Sequence, residues 1–207
     1  NSFHTFITDS QRENILKAII EAYYSNVPNN IVVFDTNRNW PLRIGGLIRL
    51  FPETKIICCV RDIISILNSF EHLVKKNPFE ISKLFNFDPN MTVYGRVDTL
   101  MNSNGSVGSA LGALKEGLSG EYKNRMIIVD YEDLVSQPKK SMERIYLQLG
   151  ERYYNHDFNN LAYEEEVFDF QIGLPQMHTI RSRVEKEVRP MLLPKDIQQK
   201  YRGLECW

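Results

Sequence analysis

The sequence has 207 residues, 43% of them hydrophobic, which is enough to bury a substantial core in one domain, and no Pro-, Gly- or Ser-rich linker divides it. Its 25 basic and 26 acidic side chains nearly cancel, so the charge balance recommends neither nucleic acid nor an anionic membrane as the main partner. No apolar run approaches the roughly 20 residues that span a bilayer, and the three cysteines and four histidines never adopt a metal-ligand spacing.

Cys58 and Cys59 are neighbours on a predicted strand and point to opposite faces, while Cys206 sits beside the last residue, so a reducing, cytoplasmic setting is expected. The chain opens at Asn1 rather than at a methionine, without the basic and apolar pattern of a signal peptide. The expectation is a single domain over residues 1–207 whose N-terminal part is incomplete.

In chain order, Asp9 to Tyr24 begins with a capping box at Ser10 and Glu13 and places Ile15, Leu16, Ile19, Ile20 and Tyr23 on one helical stripe. Ile31 to Phe34 is a short continuous apolar run, which suits a strand buried on both faces. Pro41 fits the first turn of a helix that ends before Pro52. Lys55 to Val60 reads as the next strand. Asp62 to Lys75 then carries Ile63, Ile66, Leu67, Phe70, Leu73 and Val74 at three-four spacing, a helix packed back on the sheet.

Residues 77–101 show no clean period and are expected to help line an acceptor pocket. A helix over Val107 to Leu118, a strand over Met126 to Val129 and a helix from Pro138 to a stop at Gly150 complete the regular part. From about 151 a loop-rich, charged tail follows, in which Glu164 to Glu166 read as a solvated acidic run. Strands alternating with helices at this spacing predict an α/β fold, a mainly parallel sheet flanked by helices.

Ligands of an open parallel sheet bind beyond the carboxyl ends of its strands, which directs attention to Asp35 to Asn39, Arg61 with Asp62, and Asp130 with Tyr131. An arginine at a strand terminus offers a planar fork of donors to a phosphate or carboxylate, and the helix behind it adds its positive end. Ser69 lies on the polar side of that helix with Ser65 and His72. The structural alternative is a local Arg61–Asp62 ion pair with Ser69 solvated.

Arg61 and Ser69 stand in VRDIISILNSF, which resembles the segment of the sulfotransferases that use 3′-phosphoadenosine 5′-phosphosulfate (PAPS) and grip the donor's 3′-phosphate. DYEDL, Asp130 to Leu134, followed by Pro138, resembles a second segment of that family, in which the tyrosine lies near the adenine. From Asn104 to Trp207 the stretches GSVGSALGALKEGL, HDF, FDFQIGLPQMHTIRSRV and LLP are similar to small bacterial-type sulfotransferases. The resemblance implies a P-loop NTPase-like fold and a cofactor site at Arg61, Ser69 and Tyr131. It also implies transfer of a sulfuryl group from PAPS to a hydroxyl or amine acceptor, leaving adenosine 3′,5′-bisphosphate.

A second basic cluster is expected near the C-terminus, and Arg181 and Arg183 are the candidates for it, with a solvated basic face as the alternative reading of each, although the family's Arg-Lys-Gly tripeptide is absent. The family's phosphate-binding loop has no counterpart in this sequence, and Gly105 to Gly112 reads instead as a turn entering a helix. Where cytosolic relatives carry Lys-Thr-His with a histidine base, this chain has Thr36, Asn37 and Arg38. Arg38 could stabilise charge on the sulfuryl group but is a poor base. His178 and Asp35 are the substitutes for the base, with a structural histidine as the alternative reading of His178; His156 reads as structural and Trp40 as a packing residue or a wall of the acceptor pocket. The alternative is a nucleotide-binding or scaffolding protein of the same fold without transfer activity.

Overall fold

A computed structural model describes residues 6–28, 31–88, 90–161 and 166–207, the side chain of Glu166 excepted. Among these residues the chain forms α1 (Asp9–Tyr23), α2 (Ile44–Leu50), β1 (Ile56–Val60), α3 (Ile63–Lys76), α4 (Val93–Met101) and α5 (Gly108–Ser119). It continues with β2 (Met126–Asp130), α6 (Tyr131–Ser136), α7 (Pro138–Leu149), α8 (Glu166–Gln171) and α9 (Lys195–Tyr201). The fold is mixed α/β, a small parallel sheet flanked by helices, as the alternation of elements predicts.

β1 and β2 pair in parallel from Ile56 opposite Met126 to Val60 opposite Asp130. Alternate residues of the two strands therefore share a face. Ile56, Cys58, Val60 and Met126 pack with Ile44 of α2 and Leu114 of α5, whereas Ile127 and Val129 pack with Ile145 of α7. Packing on both sides explains why β2 reads as a continuous apolar run, whereas β1 is buried on one face and carries half-buried Ile57 and exposed Cys59 on the other.

A third and larger core group surrounds Leu67 on α3 and joins Val97 and Leu100 of α4 to Leu174, Leu193, Ile197 and Tyr201. The tail is thus part of the core, and the loop-rich ending read from sequence contains two helices. Asn68, buried on α3, holds it: its amide donates to Pro190 O at 3.1 Å, and its carbonyl accepts from Leu192 N at 2.8 Å. His72 contacts the same Pro190 carbonyl at 2.7 Å.

Other expectations change in detail. The capping box of α1 is formed by Thr8 and Gln11 rather than by Ser10 and Glu13. Thr8-x-x-Gln11 meets the same pattern two residues earlier and leaves Asp9 in the first turn, where negative charge suits the helix dipole. Residues 77–101 include α4, which is capped by Thr92. Gly105 and Gly108 do form the turn into α5, and a Cβ on either would lie 2.1 or 2.2 Å from a carbonyl oxygen of Thr99 or Asn102, so no larger residue fits.

The strand predicted at Ile31 to Phe34 is not one: the segment is non-helical, outside the sheet and 43–65% exposed. A doubly covered strand requires a neighbouring edge and two apolar faces. Here the segment joins neither outer edge of the β1–β2 pair, and the apolar stripe of α1 at Ile15, Ile19 and Tyr23 is itself exposed rather than laid over it as a covering face. Glu164 and Glu165 lie outside the described residues.

Asn68→Ala leaves Leu192 N without its partner and Pro190 O with His72 alone, in a half-buried site, and should cost about 1–3 kcal/mol. Urea denaturation measures it, and limited proteolysis should show the segment after Val184 cleaved first.

Candidate functional site

In a parallel pair, the residues that follow matched strand ends emerge at one edge. Because Val60 is opposite Asp130, Arg61 and Tyr131 come out side by side, on strands about 4.8 Å apart. The guanidinium carbon of Arg61 lies 4.0 Å from the centroid of the Tyr131 ring. Such a cation–π contact contributes about 0.5–2 kcal/mol and uses the face of the guanidinium rather than its N–H groups.

The carboxylates adjacent in sequence are engaged elsewhere. Asp62 caps α3 by accepting from Ser65 N at 2.7 Å, and Asp130 caps α6 by accepting from Glu132 N at 2.7 Å and Asp133 N at 3.4 Å. No ion pair joins Arg61 to Asp62, so the local-pair alternative fails. Asp62, Ser65 and Ser69 recur at i, i+3 and i+7 along one face of α3, and the Arg61 side chain reaches along it. Ser69 Oγ donates to Ser65 O at 2.9 Å and accepts from Arg61 Nη1 at 3.5 Å.

That long contact is the one hydrogen bond Arg61 makes among the described residues, out of five N–H donors, and its Nε is buried without a partner. A cation held by a ring face, with its donor fork unspent and the N-terminus of a 14-residue helix beside it, is arranged to receive an anion.

The remaining predicted residues lie apart from this pair. Arg38 Nη1 donates to Ser106 O at 3.0 Å, tying its loop to the glycine turn before α5. Arg181 pairs with Glu185 at 3.0 Å and Glu187 at 2.5 Å, and Arg183 pairs with Glu185 at 2.7 Å. This charged segment reaches the strand end through Lys186, whose Nζ lies 2.5 Å from Glu132, the neighbour of Tyr131. Asp35 is occupied on both oxygens, by the Tyr24 hydroxyl and by Trp40 Nε1 at 2.7 Å. Trp40 itself packs against the α2–sheet–α5 core. His156 bonds the Tyr146 hydroxyl at 3.1 Å within a cluster of tyrosines, the structural role expected for it.

His178 meets a residue the sequence did not single out. Asp169, buried on α8, contacts both its Nδ1 and its backbone N–H. The one signal in the sequence is a carboxylate set between Phe168 and Phe170, which names no partner.

Burial raises the Cys58 thiol to about 11 and raises Cys59 as well, so neither is a thiolate nucleophile near neutral pH. Among the described residues, no group of three or more His, Cys, Asp or Glu side chains could hold a metal ion. No described helix is long and apolar enough to cross a membrane. Surface concavities of about 450 Å³ over the start of α7 and about 170 Å³ between α4 and α9 have neither Arg61, Ser69 nor Tyr131 in their walls.

Residues 6–155 match the family model described as the Sulfotransferase family. The chain belongs to the sulfotransferase family. Comparison with curated proteins finds no match, and comparison with solved structures finds none either. Arg38, Arg61, Ser69 and Tyr131 lie within the span matched to the sulfotransferase family, whereas Asp169, His178, Arg181 and Arg183 lie beyond it.

Two outcomes follow from these contacts. A double-mutant cycle of Arg61→Ala and Tyr131→Leu should give a coupling of about 0.5–2 kcal/mol by chemical denaturation. Tyr131→Phe should retain it. The Asp35 hydrogen bond pushes the Tyr24 phenol from 10.0 up to about 12, so the fold holds this proton more tightly than the unfolded chain does. The resulting stabilisation is complete below pH 10 and is lost as pH rises through about 12. Ultraviolet titration of the wild type against Tyr24→Phe measures that window.

Proposed function

We propose that this member of the sulfotransferase family binds PAPS, and its product adenosine 3′,5′-bisphosphate, at Arg61, Ser69 and Tyr131, and transfers the sulfuryl group to a hydroxyl or amine acceptor. The observation that carries the reading is the unspent donor fork of Arg61 at the end of β1, held on the ring of Tyr131 beside the start of α3. In this reading a phosphate oxygen replaces the long Ser69 contact and gives the other N–H groups an acceptor. The Ser69 hydroxyl then turns from Ser65 O to the same anion.

One charge-assisted hydrogen bond contributes roughly 1.5–3 kcal/mol and a helix terminus about 0.3–1, which is little for a doubly charged phosphate. The segment from Arg181 to Arg189 supports the requirement for more, with four basic and two acidic side chains and an anchor beside Tyr131. Arg181 and Arg183 would exchange Glu185 and Glu187 for phosphate oxygens.

In transfer, the acceptor oxygen or nitrogen attacks sulfur in line, the bond from sulfur to the 5′-phosphate oxygen breaks, and the acceptor proton leaves to His178 Nε2. Arg38 would stabilise charge on the equatorial oxygens. Catalysis of this kind is mostly positioning and charge stabilisation. The reading includes a cytoplasmic setting, in keeping with three unpaired thiols.

Arg61→Ala should weaken binding of adenosine 3′,5′-bisphosphate about 10- to 100-fold in calorimetry, and unchanged affinity would overturn the assignment. Transfer of radiolabelled sulfate from PAPS to a panel of alcohols and amines tests the activity. Binding without transfer to any of them would instead support the nucleotide-binding alternative.

A further inference from the structure

Three histidines are described, and their ring nitrogens are used differently. His156 Nε2 meets the Tyr146 hydroxyl, and His72 Nε2 meets Pro190 O. His178 is turned the other way round. Its Nδ1 contacts Asp169 Oδ1, while Nε2 has no partner among the described residues and the side chain is 39% exposed.

Asp169 is 2% exposed, and both of its oxygens are committed to this one residue, since Oδ2 accepts from the His178 backbone N–H at 2.8 Å. A buried carboxylate is costly unless its oxygens find donors, so the ionised form calls for the imidazole to keep a proton on Nδ1. Nε2 is then left as a bare lone pair pointing outward.

The mounting is firm. Phe168 sets its ring edgewise to the imidazole, with centroids 5.4 Å apart, so the ring meets an aromatic edge as well as the Asp169 carboxylate. Leu174 N donates to Asp169 O at 3.1 Å, and Leu174 is buried in the core group around Leu67. Ile172 O accepts from Lys83 N at 3.1 Å and from Ser82 Oγ at 2.8 Å, and Asn77 Nδ2 donates to Pro175 O at 3.2 Å. At Gly173, φ is +70° and a Cβ would lie 2.5 Å from Ile81 O, so only glycine lets the chain turn there. The turn between Asp169 and His178 is therefore fastened to the end of α3 and to residues 81–83.

We propose that Asp169 is a positioning residue that makes His178 a general base: it fixes the Nδ1–H tautomer, aims Nε2 outward, and stabilises the imidazolium once Nε2 has taken the proton of the acceptor O–H or N–H. This rests on the reading of His178 as the base in sulfuryl transfer. In the step, the electron pair of the acceptor O–H or N–H bond goes to the new bond to sulfur, the proton goes to Nε2, and the 5′-phosphate leaves with the electrons of its bond to sulfur.

Two measurements separate the dyad from the donor site. In 15N-labelled protein above the imidazole titration, wild type should show His178 protonated on Nδ1, and Asp169→Asn should lose that preference. A wild-type Nε2–H tautomer, or an unchanged tautomer in the variant, would overturn the proposal whether or not the chain uses PAPS. In sulfate transfer, Asp169→Asn should lower kcat about 10- to 100-fold while affinity for adenosine 3′,5′-bisphosphate stays within about twofold. An unchanged kcat would overturn it.

His178→Gln keeps the backbone N–H that Asp169 accepts from and so preserves the buried carboxylate's second contact should Asp169→Asn fail to fold. It should lose about 100-fold or more in kcat, retain bisphosphate binding, and flatten the acid limb of the pH–rate profile. A wild-type pH profile in that variant would count against the dyad. Absence of bisphosphate binding by the wild type would sink the donor assignment alone, since the tautomer measurement stands without it.

Discussion

The parallel register that sets Val60 against Asp130 is the constraint on which the rest of the site depends. It brings the first residue beyond each strand to the same point, so the Tyr131 ring meets the Arg61 guanidinium at 4.0 Å. A slip of one residue would turn Ile127 and Val129 away from α7 and point the strand-end residues to opposite faces of the sheet. Packing on both faces therefore fixes a position that neither residue could fix alone.

What an arginine can do in this molecule is decided by the carboxylates around it. Arg96 is spent on buried Glu71 through two hydrogen bonds, at 2.8 and 2.6 Å, and ties α3 to α4. Arg181, Arg183 and Arg189 are neutralised within their own segment by Glu185 and Glu187. Arg61 has Asp62 next to it in sequence and Asp130 across the strand pair, yet both serve as helix caps. The caps form because each aspartate stands at the transition from strand to helix, where unsatisfied backbone N–H groups lie within reach. Capping thus leaves the guanidinium without an ion-pair partner among the described residues, so the same local rule that starts α3 and α6 keeps both aspartates off Arg61.

The family match ends at residue 155, but the core does not. Leu174, Leu193, Ile197 and Tyr201 complete the group around Leu67, and Asn68 fixes the chain at Pro190 and Leu192. The tail between these anchors carries the Asp169–His178 pair and the charged segment that reaches Glu132. Residues that could act on an acceptor and residues that could neutralise a donor are therefore delivered by a part of the chain whose placement depends on α3, the helix that begins behind Arg61.

Sequence alone determined the pieces governed by neighbours along the chain. The apolar period of α3, the continuous runs of β1 and β2, and the Pro138 start and Gly150 stop of α7 all follow from spacing and local chemistry, whereas the reading of Arg61 with Ser69 as an anion site rests on the resemblance to the sulfotransferases. It misjudged Ile31 to Phe34, because an apolar run specifies a strand only when an edge and two faces are there to receive it. The meeting of Asp169 with His178, the diversion of Asp62 and Asp130 into caps, and the closure of the core by the tail were settled by tertiary structure. Each depends on contacts beyond the period of a helix or strand or on competition for one partner, and a linear pattern carries no term for either.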